Sequence, residues 1–132
     1  MSSGRRDYTW GALQDVIQPG QNNSNYYKRA LVTTASLAEG TAISYTVPAG
    51  YKFFLTGVFV SVNTPQFVHM AIRKETVPFF NANFELNYSF NPGVWGAYGF
   101  DEGELLEVLV QNYDTVTVSW YVEMFGILEE LV

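Results

Sequence analysis

Acidic side chains are the residues best suited to chemistry in this chain of 132 residues. Four of them lie close together, at Asp101, Glu102, Glu104 and Glu107, and Glu123 follows on a later segment. Two carboxylates facing one cleft can hydrolyse a glycosidic bond, and clustered carboxylate oxygens can bind calcium. The regular ligand spacing of an EF-hand loop is missing, however. We therefore interpret the group as a solvated acidic rim, and a carboxylate-dependent hydrolase stays open as an alternative.

Other catalytic groups are scarce. His69 is the only histidine, cysteine is absent, and no Gly-x-Ser-x-Gly motif surrounds a serine. A cupin-type metal site needs several histidine and carboxylate ligands, and a thiol nucleophile or thiolate zinc site needs cysteine. We predict a structural or surface role for His69, and we expect no enzymatic activity, no metal ion and no cofactor.

A glycine-spaced aromatic segment is the candidate ligand or contact loop. It contains Trp95, Tyr98 and Phe100, and it follows the turn-forming run Asn91-Pro92-Gly93. Because aromatic faces stack on sugar rings, this loop is suited to binding a surface glycan. The alternative interpretation is that these rings belong to the hydrophobic core of the domain.

The first 25 residues differ from the rest of the chain. They contain two basic residues, Arg5 and Arg6, and two aromatic residues, Tyr8 and Trp10. The apolar residues Leu13, Val16 and Ile17 follow with the spacing of one short helical face. A segment this short cannot bury its own apolar residues, so we predict an assembly arm that packs along the domain or reaches a neighbouring molecule. Two arginines in an acidic protein are weak support for nucleic-acid binding, which we do not expect.

The charges are distributed unevenly along the chain. Through residue 74, seven basic and three acidic residues give a charge of +4, and from Glu75 onward ten acidic residues give −10, which sums to the net charge of −6. This asymmetry is compatible with attraction between the basic arm of one copy and an acidic face of another. The alternative is that folding interleaves the two halves and leaves an ordinary surface.

Strand patterns fill the rest of the chain. The run from Thr41 to Val47 alternates apolar and polar residues, and the run from Tyr51 to Val62 is rich in β-branched and aromatic residues. We predict that these two strands, joined at Pro48-Ala49-Gly50, form the centre of the fold, with a bulge or bend at Gly57. Further strands are predicted at residues 26–34, 66–74, 84–90, 105–111 and 116–124.

About eight short strands separated by turns indicate an all-β protein with an antiparallel β-sandwich, and a jelly-roll-like arrangement is our specific prediction. We divide the chain into an extended N-terminal arm with a short helical turn, residues 1–25, and a jelly-roll domain, residues 26–132. A hydrophobic content of 48% supports a real core. No apolar run approaches the roughly 20 residues that span a bilayer, and the start lacks a signal-peptide core, so we expect neither membrane association nor secretion.

Three stretches carry a resemblance to a known family. They read Tyr45-Thr-Val-Pro-Ala-Gly-Tyr-Lys-Phe-Phe-Leu-Thr-Gly-Val-Phe-Val-Ser, then Phe100-Asp-Glu-Gly-Glu-Leu-Leu-Glu-Val, and finally Met124-Phe-Gly. In this combination the chain resembles jelly-roll virion proteins of tailed bacteriophages, of the capsid decoration or cement type, from about Thr41 to Gly126.

The resemblance implies a non-enzymatic homotrimer that is made in the host cytoplasm and binds the major capsid protein at the capsid surface. It also implies that the N-terminal segment contacts the shell or a sister subunit. It transfers no catalytic residue. The alternative that we keep is a carbohydrate-binding or receptor-binding β-sandwich of a virion spike or tail, which would use the loop at residues 95–100.

Overall fold

Nine β-strands make up the part of the chain that the structure, a computed structural model, describes, namely residues 23–93 and 96–131. The strands are β1 (Asn23–Thr34), β2 (Glu39–Thr46), β3 (Tyr51–Val62), β4 (Val68–Lys74), β5 (Val77–Phe84), β6 (Asn87–Phe90), β7 (Tyr98–Phe100), β8 (Leu105–Asn112) and β9 (Val118–Glu130). The all-β prediction is therefore confirmed. Within these residues no helix is long and apolar enough to cross a membrane. The predicted helical turn of the arm lies outside the described residues.

The strands form two antiparallel sheets. The first sheet has the order β1-β9-β3-β6, with β7 also paired to β3, and the second sheet has the order β2-β8-β4-β5. Because β6 pairs with Val58–Ser61 and β7 with Phe53–Leu55, these two short strands follow one another along the same side of β3. If β6 and β7 are counted together as strand 6, then β8 and β9 become strands 7 and 8. The two sheets then have the strand orders 1-8-3-6 and 2-7-4-5. This is the jelly-roll topology, which confirms the predicted fold class.

The segment Pro48-Ala49-Gly50 connects the two sheets rather than closing a hairpin. Its two flanking strands do not pair, since β2 lies at the edge of the second sheet and β3 lies inside the first. The prediction that both strands form the centre of the fold is therefore wrong for β2. Alternation along β2 indicates that one face is buried, but it carries no information about which strand lies beside it.

The bulge predicted at Gly57 is confirmed. The pairing of β3 with β9 shifts its register between Leu55 and Gly57, so that one extra residue of β3 is accommodated there. The first strand begins at Asn23, three residues before the predicted start, and these residues pair with the end of β9. The boundary that we placed after residue 25 thus falls within a strand.

The core lies between the two sheets and follows the predicted alternation. Every second residue of β4 and β8 is buried, namely Val68, Met70, Ile72, Leu106, Val108 and Val110. The last strand contributes Val118, Trp120, Val122 and Met124. The predicted strand at residues 116–124 starts two residues too early, because Val116 lies in the bend before β9 and is 46% exposed. Inside the core, Trp120 Nε1 donates to Thr34 Oγ1 at 2.9 Å and thereby joins β9 to β1.

Candidate interaction surfaces

The predicted acidic cluster is divided among separate contacts. Glu104 Oε1 accepts a hydrogen bond from the backbone N–H of Asp101 at 2.7 Å and lies 3.4 Å from Lys74 Nζ. Glu102 accepts one from the backbone N–H of Gly50 at 2.7 Å, which ties the turn after β7 to the connection between β2 and β3. Each of these carboxylates therefore has a local structural contact.

The remaining carboxylates lie too far apart to act together. Glu107 belongs to β8 in the second sheet, where it pairs with Arg73 at 2.8 Å, whereas Glu123 belongs to β9 in the first sheet. Because the core separates the sheets, these two acids cannot face one cleft. Among the described residues, no group of three or more His, Cys, Asp or Glu side chains converges in a way that could hold a metal ion.

His69 lies on the second sheet. Its Nδ1 is 2.7 Å from Asn83 Oδ1, and its ring centroid is 5.9 Å from that of Tyr113. Both contacts are ordinary ones for a partly exposed strand residue. This placement agrees with the structural or surface role that we predicted.

The aromatic loop is only partly a surface feature. Phe100 is fully buried, with its ring centroid 6.3 Å from that of Phe53, so it is a core residue rather than a contact residue. The reason is that β7 pairs with β3, which turns the Phe100 side chain inward. Tyr98 is 42% exposed and packs against Phe79, with ring centroids 4.5 Å apart. Trp95 lies outside the described residues, as do the arm residues Arg5, Arg6, Tyr8, Trp10, Leu13 and Ile17.

The outer surface of β1 and β9 carries exposed aromatic and aliphatic side chains. Three cross-strand pairs form it, namely Tyr27 with Phe125, Arg29 with Glu123, and Leu31 with Tyr121, and we call these six residues the β1–β9 face. Tyr27, Leu31 and Phe125 are between 40% and 72% exposed. The rings of Tyr27 and Phe125 also contact each other, with centroids 5.2 Å apart.

A hydrogen-bonded acid lies at the centre of the β1–β9 face. Glu123 Oε2 accepts hydrogen bonds from the hydroxyl groups of Tyr27, at 2.5 Å, and Tyr121, at 2.7 Å. These bonds favour the carboxylate and therefore lower the pKa of Glu123, to which the charge of Arg29 also contributes. The bond to Glu123 holds the proton on Tyr27 and raises the pKa of its phenol above the ordinary range.

An open cleft of about 340 Å³ adjoins this face. It lies where β6 ends and β3 bulges, and it is lined by Thr56, Gly57, Val58, Phe59, Ser89, Phe90, Asn91, Gly93 and Phe125. Its wall thus combines aromatic rings with a serine and an asparagine. Asn91 and Gly93 belong to the turn that precedes the predicted contact loop.

One end of the sandwich carries a second group of exposed apolar side chains. The loops after β1, β3, β5 and β8 meet there, and each contributes at least one large residue that is between 38% and 65% exposed. We call this group the loop tip, and it consists of Leu37, Phe67, Leu86, Tyr113 and Val116. Sequence reasoning missed it because these residues are scattered along the chain, and no local pattern brings them together.

Hydrogen bonds between the loops make the tip a defined surface. Backbone bonds connect Leu37 N to Asp114 O (3.1 Å), Tyr113 N to Phe67 O (3.0 Å) and Gln66 N to Glu85 O (2.7 Å). The fully buried Asn112 adds to them, because its Nδ2 donates to the carbonyl oxygens of Ala35 and Val116 and its Oδ1 accepts from Asp114 N. The exposed side chains are therefore held on an ordered backbone.

Comparison with known proteins finds distant structural similarity only. No protein-family model and no curated protein matches this chain. It is similar to a chain of Bacillus endospore appendages, a family of disulfide-linked pili, with 8% identity over 84% of this chain and 92% of that one and a TM-score of 0.49. It is also similar to a chain of the acidic stable capsid of Helicobacter pylori bacteriophage KHP30, with 10% identity over 80% of this chain and 93% of that one and a TM-score of 0.49.

A third similar structure is a chain of infectious bursal disease virus, Gx strain. The identity is 9%, the match covers 83% of this chain and 32% of that one, and the TM-score is 0.48. These neighbours thus include capsid and pilus proteins with β-sandwich folds. At such low identities the likeness concerns the fold alone. Disulfide links of the pilus kind cannot form in this chain, because it contains no cysteine.

Proposed function

We propose that this protein is a non-enzymatic structural component of a phage virion, which binds the outer surface of the capsid as a decoration or cement protein. The loop tip is the observation that carries the proposal. Five exposed apolar side chains from four loops form one group, whereas single exposed apolar residues are normal on any protein. Grouped apolar side chains mark surfaces that contact another protein. The resemblance to phage decoration proteins supports the same assignment.

The backbone of Leu37 adds a second reason to treat the tip as functional. This residue is 65% exposed and has a φ of 58°, which lies in the left-handed region that favours glycine or asparagine. A leucine at such a position costs roughly 1 kcal/mol or more of backbone strain. Contact with a partner buries this exposed apolar side chain.

The charges of the tip select the class of partner. Its four loops contain the acids Glu85 and Asp114 and no lysine or arginine. Nucleic acid and anionic lipid are therefore repelled, and a protein surface with apolar residues and a basic rim is favoured. We assign the major capsid protein as this partner. Many copies engage one shell, so weak individual contacts are sufficient.

Capsid co-sedimentation tests the proposal. Leu37→Asn combined with Phe67→Ser removes apolar surface from the tip, and asparagine tolerates the positive φ at position 37. We expect at least tenfold weaker binding to capsids stripped of this protein, with a melting temperature that is not lowered. The matched control is Val77→Ser, since Val77 is 64% exposed but lies at the opposite end of the sandwich, and it should bind like the wild type. Full binding by the double variant would refute the assignment.

Carbohydrate binding is a second candidate function, favoured by the cleft beside Phe125. An exposed aromatic ring there adjoins Ser89 and Asn91, and this combination can stack on a sugar and bond to its hydroxyl groups. A glycan array with wild type, Phe125→Ala and the double tip variant separates the two functions. Binding that is lost only in Phe125→Ala favours the carbohydrate module, and no glycan bound by the wild type excludes it.

A further inference from the structure

We propose that the β1–β9 face binds the same face of a second copy of this chain through a two-fold contact. The face carries apolar side chains around one cation and one anion, Arg29 and Glu123, which are opposite each other in the strand register. A surface with this composition is complementary to itself. The proposal is independent of capsid binding, because the face and the loop tip are separate surfaces.

The charges on the face are incompletely paired within one chain. Arg29 is exposed, and among the described residues it has no ion pair within 4 Å. Both hydrogen bonds to Glu123 go to Oε2, which leaves Oε1 without a hydrogen-bond donor in the described part of the chain. A guanidinium donates several hydrogen bonds to a carboxylate and prefers a two-oxygen geometry. The face therefore presents a donor and an acceptor that a second copy can satisfy.

A single two-fold axis brings all three cross-strand pairs of the face into complementary contact with the second copy. If the axis runs parallel to the strands between β1 and β9, it places each residue of one strand over its register partner in the other copy. Arg29 then faces the partner's Glu123, Tyr27 faces the partner's Phe125, and Leu31 faces the partner's Tyr121. Each pair joins opposite charges or two apolar groups.

The size of the face predicts a reversible contact. Two neighbouring long strands, β1 and β9, form it, and their spacing and length give an area of roughly 10 Å by 40 Å. A standard protein interface buries about 800 Å² on each partner. The face is about half that size, so we expect a weak dimer that dissociates on dilution. The homotrimer that the family resemblance implies stays a prediction, and the oligomeric mass distinguishes it from this dimer.

The outer surface of the second sheet lacks these properties. Its partly buried residues Arg73 and Glu107 are paired with each other at 2.8 Å, and His69 contacts Asn83. In the described part of the chain, Val77 at the start of β5 is the one exposed large apolar residue within the strands of this sheet. The second sheet therefore provides a control surface within the same molecule.

A charge-swap experiment on the full chain tests the proposal. Arg29→Glu and Glu123→Arg each place like charges against each other across the two-fold axis. In sedimentation equilibrium each variant alone should dimerise at least tenfold more weakly than the wild type. A mixture of the two variants should form heterodimers, detected by native mass spectrometry, and the doubly swapped variant should form homodimers again. Arg73→Glu is the matched control and should leave dimerisation unchanged.

The mixture is the decisive sample. Repair of a contact within one chain restores only the doubly swapped variant, whereas repair between chains also restores the mixture. A photo-crosslinker at Leu31 identifies the occupant directly, and we expect crosslinks to the same face of a second copy. Three results would each overturn the proposal. They are a wild type that stays monomeric, a trimer whose mass is unchanged by the charge swaps, and crosslinks to residues 1–22.

Discussion

Three glutamates on this molecule differ in acidity because their contacts differ. Glu104 and Glu123 accept hydrogen bonds that lower their pKa values, from the backbone of Asp101 in the first case and from Tyr27 and Tyr121 in the second. Glu129 is buried, its Oε2 has no hydrogen-bond donor among the described residues, and this burial raises its pKa. The chemistry of each carboxylate thus depends on its neighbours, and proximity along the chain says little about it.

Glu104 makes stability depend on pH. Its pKa is lower in the folded state than in the unfolded state, so it stabilises the fold at neutral pH, and this contribution is lost as the pH falls below about 4.3 and through the folded pKa. Glu104→Gln should therefore show a shallower acid-side loss of stability in urea unfolding at a series of pH values. Lys74→Met should reproduce only part of the effect, because the Asp101 N–H remains. Identical pH profiles for wild type and Glu104→Gln would contradict this assignment.

The last strand is the element on which the first sheet depends. β9 pairs with β1 on one side and with β3 on the other, and it is also the longest strand. Close packing against β3 requires a glycine at position 126. A Cβ atom there would lie 2.2 Å from Phe53 Cζ and 2.7 Å from the backbone oxygen of Phe54. The ring of Phe53 occupies the space that any side chain would need.

Gly126→Ala should therefore destabilise the protein strongly. Neither the buried ring nor the backbone of β3 can move freely, and overpacking of this kind costs about 3 kcal/mol. The measurement is the free energy of unfolding in urea. Gly40→Ala is the control, because a Cβ at position 40 meets only Thr34 at an ordinary 3.7 Å and should change stability by less than about 1 kcal/mol. Equal stability of the two variants would show that β9 can shift.

At the scale of the whole molecule, folding brings the two differently charged halves together. Each of the three ion pairs among the described residues joins a base from residues 1–74 to an acid from residues 75–132. The pairs are Lys52–Asp101, Arg73–Glu107 and Lys74–Glu104. Strand β1 likewise lies beside β9. Interleaving of the two halves is thus confirmed for this part of the chain. Attraction between the arm and an acidic face of another copy stays a prediction.

Salt should accordingly have little effect on the stability of a single copy. Ion pairs at the surface contribute about 0–1 kcal/mol each, and salt screens them only in part. We expect the free energy of unfolding in urea to change by less than about 2 kcal/mol between about 0.05 M and about 0.5 M sodium chloride. The measurement is made at a concentration where the protein is monomeric. A larger loss would show that charge, rather than the core, maintains the fold.

The sequence by itself determined most of the strand segments, the buried side of β8 and β9, and the bulge at Gly57. It did not separate β5 from β6, and it did not predict β7. These features depend on local properties, namely the alternation of side chains along a strand and the conformational limits of proline and glycine. The buried residues of β8 and the bulge at Gly57 were therefore predictable. Both faces of β4 carry apolar residues, so its buried side was not, and neither was the exposure of Val116, because the bend there ends the alternation.

Only the tertiary structure decided which strands are neighbours and which surfaces result. Alternation places Phe100 and Glu123 on one side or the other of their own strands, but it does not specify the sheet to which those strands belong. The jelly-roll pairing separates β2 from β3, buries Phe100 and sends Glu107 and Glu123 to different sheets. It also brings four distant loops together as the loop tip. Such convergence arises from contacts between residues far apart in the chain, which no local pattern records.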